Sequence, residues 1–165
     1  MLCTESGVYE ADILIENGVI REIGTGLAEH ESKLGSADAE IEIVDASGKY
    51  VLPGAVDIHT HMDLDVGIAR VIDDFYTGTI AAACGGTTSI VDHMAFGPKD
   101  CSLWHQVKEY HRLADGNAVV DYGFHGVFQH VNPQVLEEMG EIAKEEGITS
   151  FKVYMTYGYG LGDGD

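Results

Sequence analysis

Four β-rich runs recur at nearly even intervals along this chain, at residues 56–61, 89–93, 119–125 and 150–155, their starts 33, 30 and 31 residues apart. Each interval has room for one helix and two short connections. That rhythm predicts a parallel sheet with helices outside it, because parallel neighbours need a crossover of a dozen or more residues. The segments between the runs support helices. Asp73 or Asp74 is placed to cap the first, whose body runs from Phe75 through the alanines to Cys84. Its run Ala81-Ala82-Ala83 reads as helix packing against the sheet. Ser102 is placed to open the second helix. In the third, Asn132 caps and Pro133 takes the first helical position. Val135, Leu136, Met139, Ile142 and Ala143 then make one apolar stripe, and Gly147 ends the helix.

Both a doubly wound sheet and a (β/α)8 TIM barrel fit this spacing. No Gly-x-Gly-x-x-Gly follows the first strand, which weighs against a dinucleotide fold. Gly85-Gly86-Thr87-Thr88 precedes the second strand and reads as a tight turn rather than a phosphate cradle. Four strands cannot close a barrel of eight, so on the barrel reading residues 53–165 are its first four β-α units. Residues 1–52 follow another rhythm. Two short β-rich runs flank Asn17-Gly18, a pair suited to a type I′ hairpin. Residues 27–40 are polar and read as a surface loop. Residues 41–45 alternate like a strand, Ser47-Gly48-Lys49 turns it, and residues 50–52 return. The expected fold class is therefore α/β, with a portion of a small β-domain at 1–52 ahead of a partial barrel at 53–165.

The chain's 165 residues suit an ordinary domain, and a hydrophobic share of 45% suffices for a core. Against 9 Lys+Arg stand 28 Asp+Glu, a formal charge of −19. This excess argues against nucleic acid and against an anionic membrane surface as partners. Cys3, Cys84 and Cys101 are odd in number and form no Cys-x-x-Cys pair, so a disulfide framework is not expected and a reducing cytoplasm is the simpler setting. No apolar run approaches the length of a membrane span, and residues 1–10 lack the basic and apolar regions of a signal peptide.

The chemistry centres on Asp57-Ile58-His59-Thr60-His61, just after Pro53-Gly54. Two residues apart on a strand, His59 and His61 point the same way, with Asp57 on the same face. In a barrel that face, near the C-terminal end of the strand, meets the active site. Neutral imidazole is a good ligand for Zn²⁺. The alternative is a pair of polar residues packed at a strand end; the position after Leu52-Pro53-Gly54, on the first strand of the series, favours the metal. Lys152 lies between Phe151 and Val153. A buried ammonium is costly and would repel a cation, so residue chemistry alone favours a snorkelling or ion-paired lysine. His93 and His125 end the second and third strands and are candidates for groups behind the ligands. His130 falls in a loop, His105 and His111 on a helix surface, His30 on a loop. The glycine-rich run from Tyr157 to Asp165 reads as a loop over the site, and its aspartates lack the spacing of a Ca²⁺ loop.

Four segments together resemble the cyclic amidohydrolase family that contains hydantoinase and dihydropyrimidinase. They are Leu52-Pro53-Gly54-Ala55-Val56-Asp57-Ile58-His59-Thr60-His61, Asp74-Phe75-Tyr76-Thr77-Gly78-Thr79, Gly85-Gly86-Thr87-Thr88, and the run from Ser150 to Tyr157. Asp65-Val66-Gly67-Ile68-Ala69-Arg70 and Phe124-His125-Gly126-Val127-Phe128-Gln129-His130 resemble its phenylhydantoinase branch. The likeness extends over nearly the whole chain. Ala55 stands where several members have Gly, a departure at a turn and not at a ligand.

The resemblance implies a TIM barrel flanked by a β-sandwich domain built from both chain ends, with two divalent ions, usually zinc, at the barrel mouth. On it, His59 and His61 match the histidines of the more buried ion. Lys152 matches a lysine that is N-carboxylated and bridges both ions, which would replace the troublesome cation by a carbamate anion. Tyr157 matches the tyrosine that polarises the substrate and steadies the developing oxyanion. Residues 62–66 and 154–157 match loops that shape the substrate pocket. The implied reaction opens the ring C–N bond of a 5-substituted hydantoin, a small cyclic ureide, to give an N-carbamoyl amino acid, in a cytoplasmic homotetramer. Dihydropyrimidinase or allantoinase activity is the alternative within the family. A non-catalytic scaffold relative or a plain metal-binding module is the alternative outside it; the presence of His59, His61 and Lys152 weighs against the scaffold. Two further histidines and an aspartate of the family site would lie beyond Asp165. Residues 1–165 alone are expected to be inactive and poorly soluble, since half a barrel leaves an unpaired strand edge and an apolar inner face. Soluble, monomeric, catalytically competent material from residues 1–165 would contradict that expectation.

Overall fold

The computed structural model describes residues 1–27, 41–94, 97–98 and 100–154. The chain divides into two compact units, Met1–Pro53 and Gly54–Asp165. In the first, β1 (Leu2–Thr4) and β2 (Gly7–Tyr9) form a hairpin that the sequence had not led us to expect. A second hairpin joins β3 (Asp12–Glu16) to β4 (Val19–Gly24) around Asn17-Gly18. Both turn residues have positive φ, 52° and 75°, as the type I′ geometry requires.

The expected strand at 41–45 does not form. Ile43 and Val44 are both exposed, so the alternation has no face to bury, and no strand among the described residues takes its hydrogen bonds. Alternation makes a strand only where a neighbour and a covering layer exist. The expected turn is present, with Lys49 N donating to Ala46 O at 3.0 Å. Residues 50–52 contribute a single bridge, Val51 to Leu2. Of the loop expected at 27–40, residues 28–40 lie outside the described residues.

In the second unit the order is β5 (Ala55–Thr60), α1 (Phe75–Cys84), β6 (Thr87–His93), α2 (Leu103–Ala114), β7 (Asp121–Val127), α3 (Pro133–Glu145) and β8 (Phe151–Lys152). The strands form one parallel sheet in the order β5-β6-β7-β8. Each strand lies beside its sequence neighbour, without the reversal of a doubly wound sheet. The sheet is curled, and the unit is the N-terminal part of a (β/α)8 barrel. β7 begins two residues later than its β-rich run, because Val119 N donates to Thr79 Oγ1 of α1 at 3.0 Å before the strand starts. Of the fourth expected strand, Met155 lies outside the described residues.

The helix starts follow local chemistry. Asp74 Oδ1 accepts from Thr77 N at 2.7 Å while Asp74 N donates to Thr77 Oγ1 at 3.2 Å, a reciprocal capping box. Ser102 Oγ accepts from His105 N at 3.1 Å, and Asn132 Oδ1 from Val135 N at 2.8 Å. The core between sheet and helices is aromatic at its centre. Phe75 meets Tyr110 and Phe124 edge-on, with ring centroids 6.2 and 6.3 Å away. Ile90, Met94, Val107 and Ile142 close around them.

Two helix faces differ from expectation. Of the alanine run in α1, only Ala82 packs against the core; Phe75, Gly78 and Thr79 are the buried positions. A Cβ on Gly78 would stand 2.2 Å from Met62 Sδ, so the helix approaches this side chain more closely than alanine permits. On α3, Leu136 faces solvent and Glu138 is buried in its stead. Glu138 Oε2 accepts from Leu103 N at 2.8 Å, and Oε1 accepts from Gln134 Nε2 at 2.8 Å. One helix thus places an anion on the N-terminus of another, where free N–H groups favour negative charge. Glu138→Ala would strand the Leu103 amide and is expected to cost about 1–3 kcal/mol of stability by denaturant unfolding. Glu138→Gln, which keeps an acceptor, should cost less; equal stability of both variants with wild type would contradict this reading.

Candidate metal centre

The end of β5 is shaped by two carboxylates. Asp57 Oδ1 accepts from His59 N at 3.0 Å, where the register with β6 breaks between Asp57 and Thr60. The strand's own side chain thereby satisfies an amide that has left the ladder. Asp92, fully buried in β6, accepts from Thr60 Oγ1 at 2.7 Å and from Met62 N at 2.8 Å through one oxygen, Oδ2. These bonds grip the chain on both sides of His61. The other oxygen, Oδ1, is buried without a partner. Burial pushes the Asp92 carboxyl up to about 6, against the pull of its two hydrogen bonds.

His93 is next along β6, on the opposite face of that strand. Its Nδ1 lies 3.4 Å from Thr60 O. A carbonyl can only accept, so this long contact favours a proton on Nδ1 and a lone pair on Nε2. The rings of His59, His61 and His93 converge, with centroids 5.1, 4.4 and 5.0 Å apart pairwise. One ring nitrogen from each lies within 4.8 Å of the others. His61 Nδ1 is buried with no hydrogen-bond partner. Burial, and after it the Lys152 ammonium and His59, hold His61 below its ordinary value and bring His93 down to about 4. Both are neutral lone-pair donors at neutral pH.

The register brings two more groups to this face. His93 pairs with His125, and Val127 with Lys152, so alternation puts His93, His125 and Lys152 on one side of the sheet. The His125 ring lies 4.8 Å from that of His93. His125 Nε2 donates to Ile58 O at 3.0 Å, reaching across β6, and its Nδ1 meets the Ser150 hydroxyl. Both of its nitrogens are therefore committed to the protein. The Lys152 ammonium sits 5.2 Å from the centre of the Tyr154 ring. Among the described residues no carboxylate stands within 4.0 Å of it.

Three imidazoles facing a common point, one of them with an orphaned nitrogen, fit a borderline cation such as zinc. Of the residues singled out from the sequence, His59 and His61 converge, and Lys152 is close enough to depress His61 and His93. Tyr157 lies outside the described residues, as does His30. His93 joins the cluster itself rather than standing behind it, which only the β5–β6 register reveals. His105 is exposed on α2 as expected. His111 is instead half-buried, edge-on to Phe124 with centroids 5.2 Å apart. A shallow recess lined by Ala83, Thr87, Thr88 and Ala118 to Asp121 lies at the other end of the strands and holds no histidine.

No family model matches the chain. A D-phenylhydantoinase of Escherichia coli is 52% identical over 157 residues, which is 95% of this chain and 32% of that protein. Among solved structures, a D-hydantoinase superposes with a TM-score of 0.85 at 42% identity, covering 98% of this chain and 33% of that one. A D-hydantoinase from Bacillus sp. AR9 gives 0.84 at 44% identity, over 98% and 33%. A dihydropyrimidinase from Brevibacillus agri gives 0.84 at 43%, over 99% and 33%. The chain thus spans about a third of the length of the curated relatives it matches.

The Asp92 carboxyl predicts a pH effect in metal-stripped protein. Its folded value of about 6 lies above the ordinary 3.8, so between them the folded state holds a proton the unfolded chain has lost. Its contribution, about 3 kcal/mol at most, is present below the lower value and is lost as pH rises through the upper one. His93, with a depressed value, contributes the opposite slope over part of the same window. Comparison with Asp92→Asn isolates the carboxyl: wild type should lose stability relative to the variant between about pH 4 and 7. Parallel unfolding profiles for the two would contradict the assignment.

Proposed function

Because the chain belongs to the hydantoinase/dihydropyrimidinase family of cyclic amidohydrolases, we propose that it supplies metal ligands to an enzyme that opens 5-substituted hydantoins to N-carbamoyl amino acids. The observation that carries this reading is the convergence of His59, His61 and His93 within 4.8 Å beside Lys152. His59 and His61 hold one of two divalent ions, zinc by the preference of nitrogen donors in a site of this kind. Lys152, as its carbamate, would serve as an anionic oxygen ligand and would remove the positive charge that now faces three imidazoles. The absence of a carboxylate partner for its ammonium among the described residues supports that conversion. Bound divalent ions polarise a ring carbonyl and activate water at neutral pH. Tyr157 donates a hydrogen bond to the carbonyl oxygen as charge builds on it.

The choice of hydantoin over dihydropyrimidine rests on the 52% identity to a D-phenylhydantoinase. The backbone itself is neutral on this point, since a hydantoinase and a dihydropyrimidinase superpose equally well. The chain is proposed to work in a cytoplasmic homotetramer, as the family resemblance implies. Among the described residues no helix is long and apolar enough to cross a membrane.

Turnover of 5-phenylhydantoin should exceed that of dihydrouracil, should vanish on chelation and should return with zinc. Lys152→Ala is expected to lower kcat/KM by roughly a thousandfold or more, the scale of losing a transition-state charge stabiliser. Hydrolysis indifferent to both chelation and Lys152→Ala would refute the proposal.

A further inference from the structure

The turn between β3 and β4 carries a reactive pair that the functional reading does not use. We propose that Asn17 is a site of spontaneous covalent modification, at which the Gly18 amide nitrogen displaces the side-chain amide and converts Asn17 to aspartate and isoaspartate. The inference is independent of the metal-dependent reading and goes beyond it.

The reaction needs a backbone nitrogen that can reach the carboxamide of the residue before it. A bond forms between Gly18 N and Asn17 Cγ, the Cγ–Nδ2 bond breaks, and ammonia leaves with the proton that Gly18 N gives up. The product is a cyclic imide spanning the two residues. Water then adds at either ring carbonyl. Cleavage at Cγ gives aspartate on an unchanged backbone. Cleavage at the main-chain carbonyl gives isoaspartate, whose backbone runs through Cβ and Cγ and is longer by one methylene. Water is the only co-reactant, and nothing is oxidised or reduced.

The surroundings of each candidate single out Asn17. It and Gly18 are both exposed, and among the described residues no hydrogen bond holds the Asn17 side chain. Gly18 has no side chain to crowd the attack, and a Cβ built there would meet nothing within 4 Å. The ladder closes between Glu16 and Val19, which leaves the Gly18 N–H outside it. The chain's other asparagines are Asn117 and Asn132. Asn117 precedes Ala118, and its Nδ2 donates to Leu113 O at 2.8 Å. Asn132 precedes Pro133, which has no N–H to lose, and its Oδ1 accepts from Val135 N at 2.8 Å. Asp115 also precedes a glycine, but the Tyr122 hydroxyl donates to its carboxylate and, ahead of His111, holds it below the usual range. An ionised carboxylate has no leaving group to give up.

The closed turn, with φ of 52° and 75° at Asn17 and Gly18, fixes both reacting groups, so attack runs through its opening. Opening is accessible here. β3 and β4 form a sheet of two strands, mostly exposed, with a register shift between Leu14 and Ile15. Such a hairpin has little stability of its own. Aspartate keeps the turn, since Asp-Gly suits it as Asn-Gly does. It adds a negative charge beside Glu16, which pairs with Arg21 Nε at 3.1 Å. Isoaspartate lengthens the loop and breaks the pairing of Glu16 with Val19.

The test incubates native protein and urea-unfolded protein in mildly alkaline buffer until the unfolded chain has lost its Asn17 amide. Peptide mapping by mass spectrometry, with electron-transfer fragmentation to tell isoaspartate from aspartate, then reads each asparagine. The native protein should have lost a measurable share of the Asn17 amide to both products, while Asn117 and Asn132 keep theirs. Asn17→Gly preserves a pair suited to the turn and should abolish the acidic charge variants that build up during incubation. An intact Asn17 amide in the native protein, loss at Asn117 as fast as at Asn17, aspartate without isoaspartate, or acidic variants undiminished in Asn17→Gly would overturn the inference.

Discussion

Three imidazoles and an ammonium share one face of a parallel sheet, and among the described residues no carboxylate pairs with the ammonium. That electrostatic arrangement is the constraint around which the second unit is built. Protonated together, these groups would repel one another in a partly dehydrated setting. The protein keeps two of the imidazoles neutral by burial, so they remain usable as lone-pair donors. An ion bound there would make their neutrality an advantage, and a carbamate at Lys152 would turn the one repulsive neighbour into an attractive one.

The sheet makes such a cluster possible because its register is fixed from the helix side. Phe75, Tyr110 and Phe124 lock α1 and α2 against β7, and Ile90 fills the space beside them. Buried polar groups then set the finer positions. Asp92 ties β6 to the end of β5, Thr79 ties α1 to the approach of β7, and Glu138 ties α3 to the start of α2. Each is a bond between elements distant in sequence, and each satisfies a backbone or side-chain donor that would be costly to bury alone. His125 belongs with them: its span from β7 to Ile58 helps to set the curl that brings β5 and β7 together over β6.

How much of this could be read from the residues depended on the range of the interaction concerned. The caps at Asp74, Ser102 and Asn132 were legible because an N-cap acts within three residues. The hairpin at Asn17-Gly18 was legible for the same reason. His59 and His61 were legible because strand alternation alone puts them on one side. His93 was recognised as a strand-end histidine but not as part of the cluster, since that depends on how β6 slides against β5. Leu136 was placed on the apolar stripe of the third helix, and Glu138 drew no attention, because the contact that buries Glu138 depends on another helix bringing Leu103 N to it. The alternation at 41–45 misled because periodicity reports a face and not the presence of anything to cover it. Tyr157 was legible only by likeness to the family.

The central claim is that His59 and His61, with Lys152 nearby, converge on divalent metal. Anomalous diffraction from crystals of the zinc-loaded protein, measured on both sides of the zinc absorption edge, tests it most directly. A peak about 2.0–2.1 Å from a ring nitrogen of both His59 and His61 is the expected result. Ordered rings with no anomalous density between them, or zinc bound only at a site remote from this end of the sheet, would contradict it.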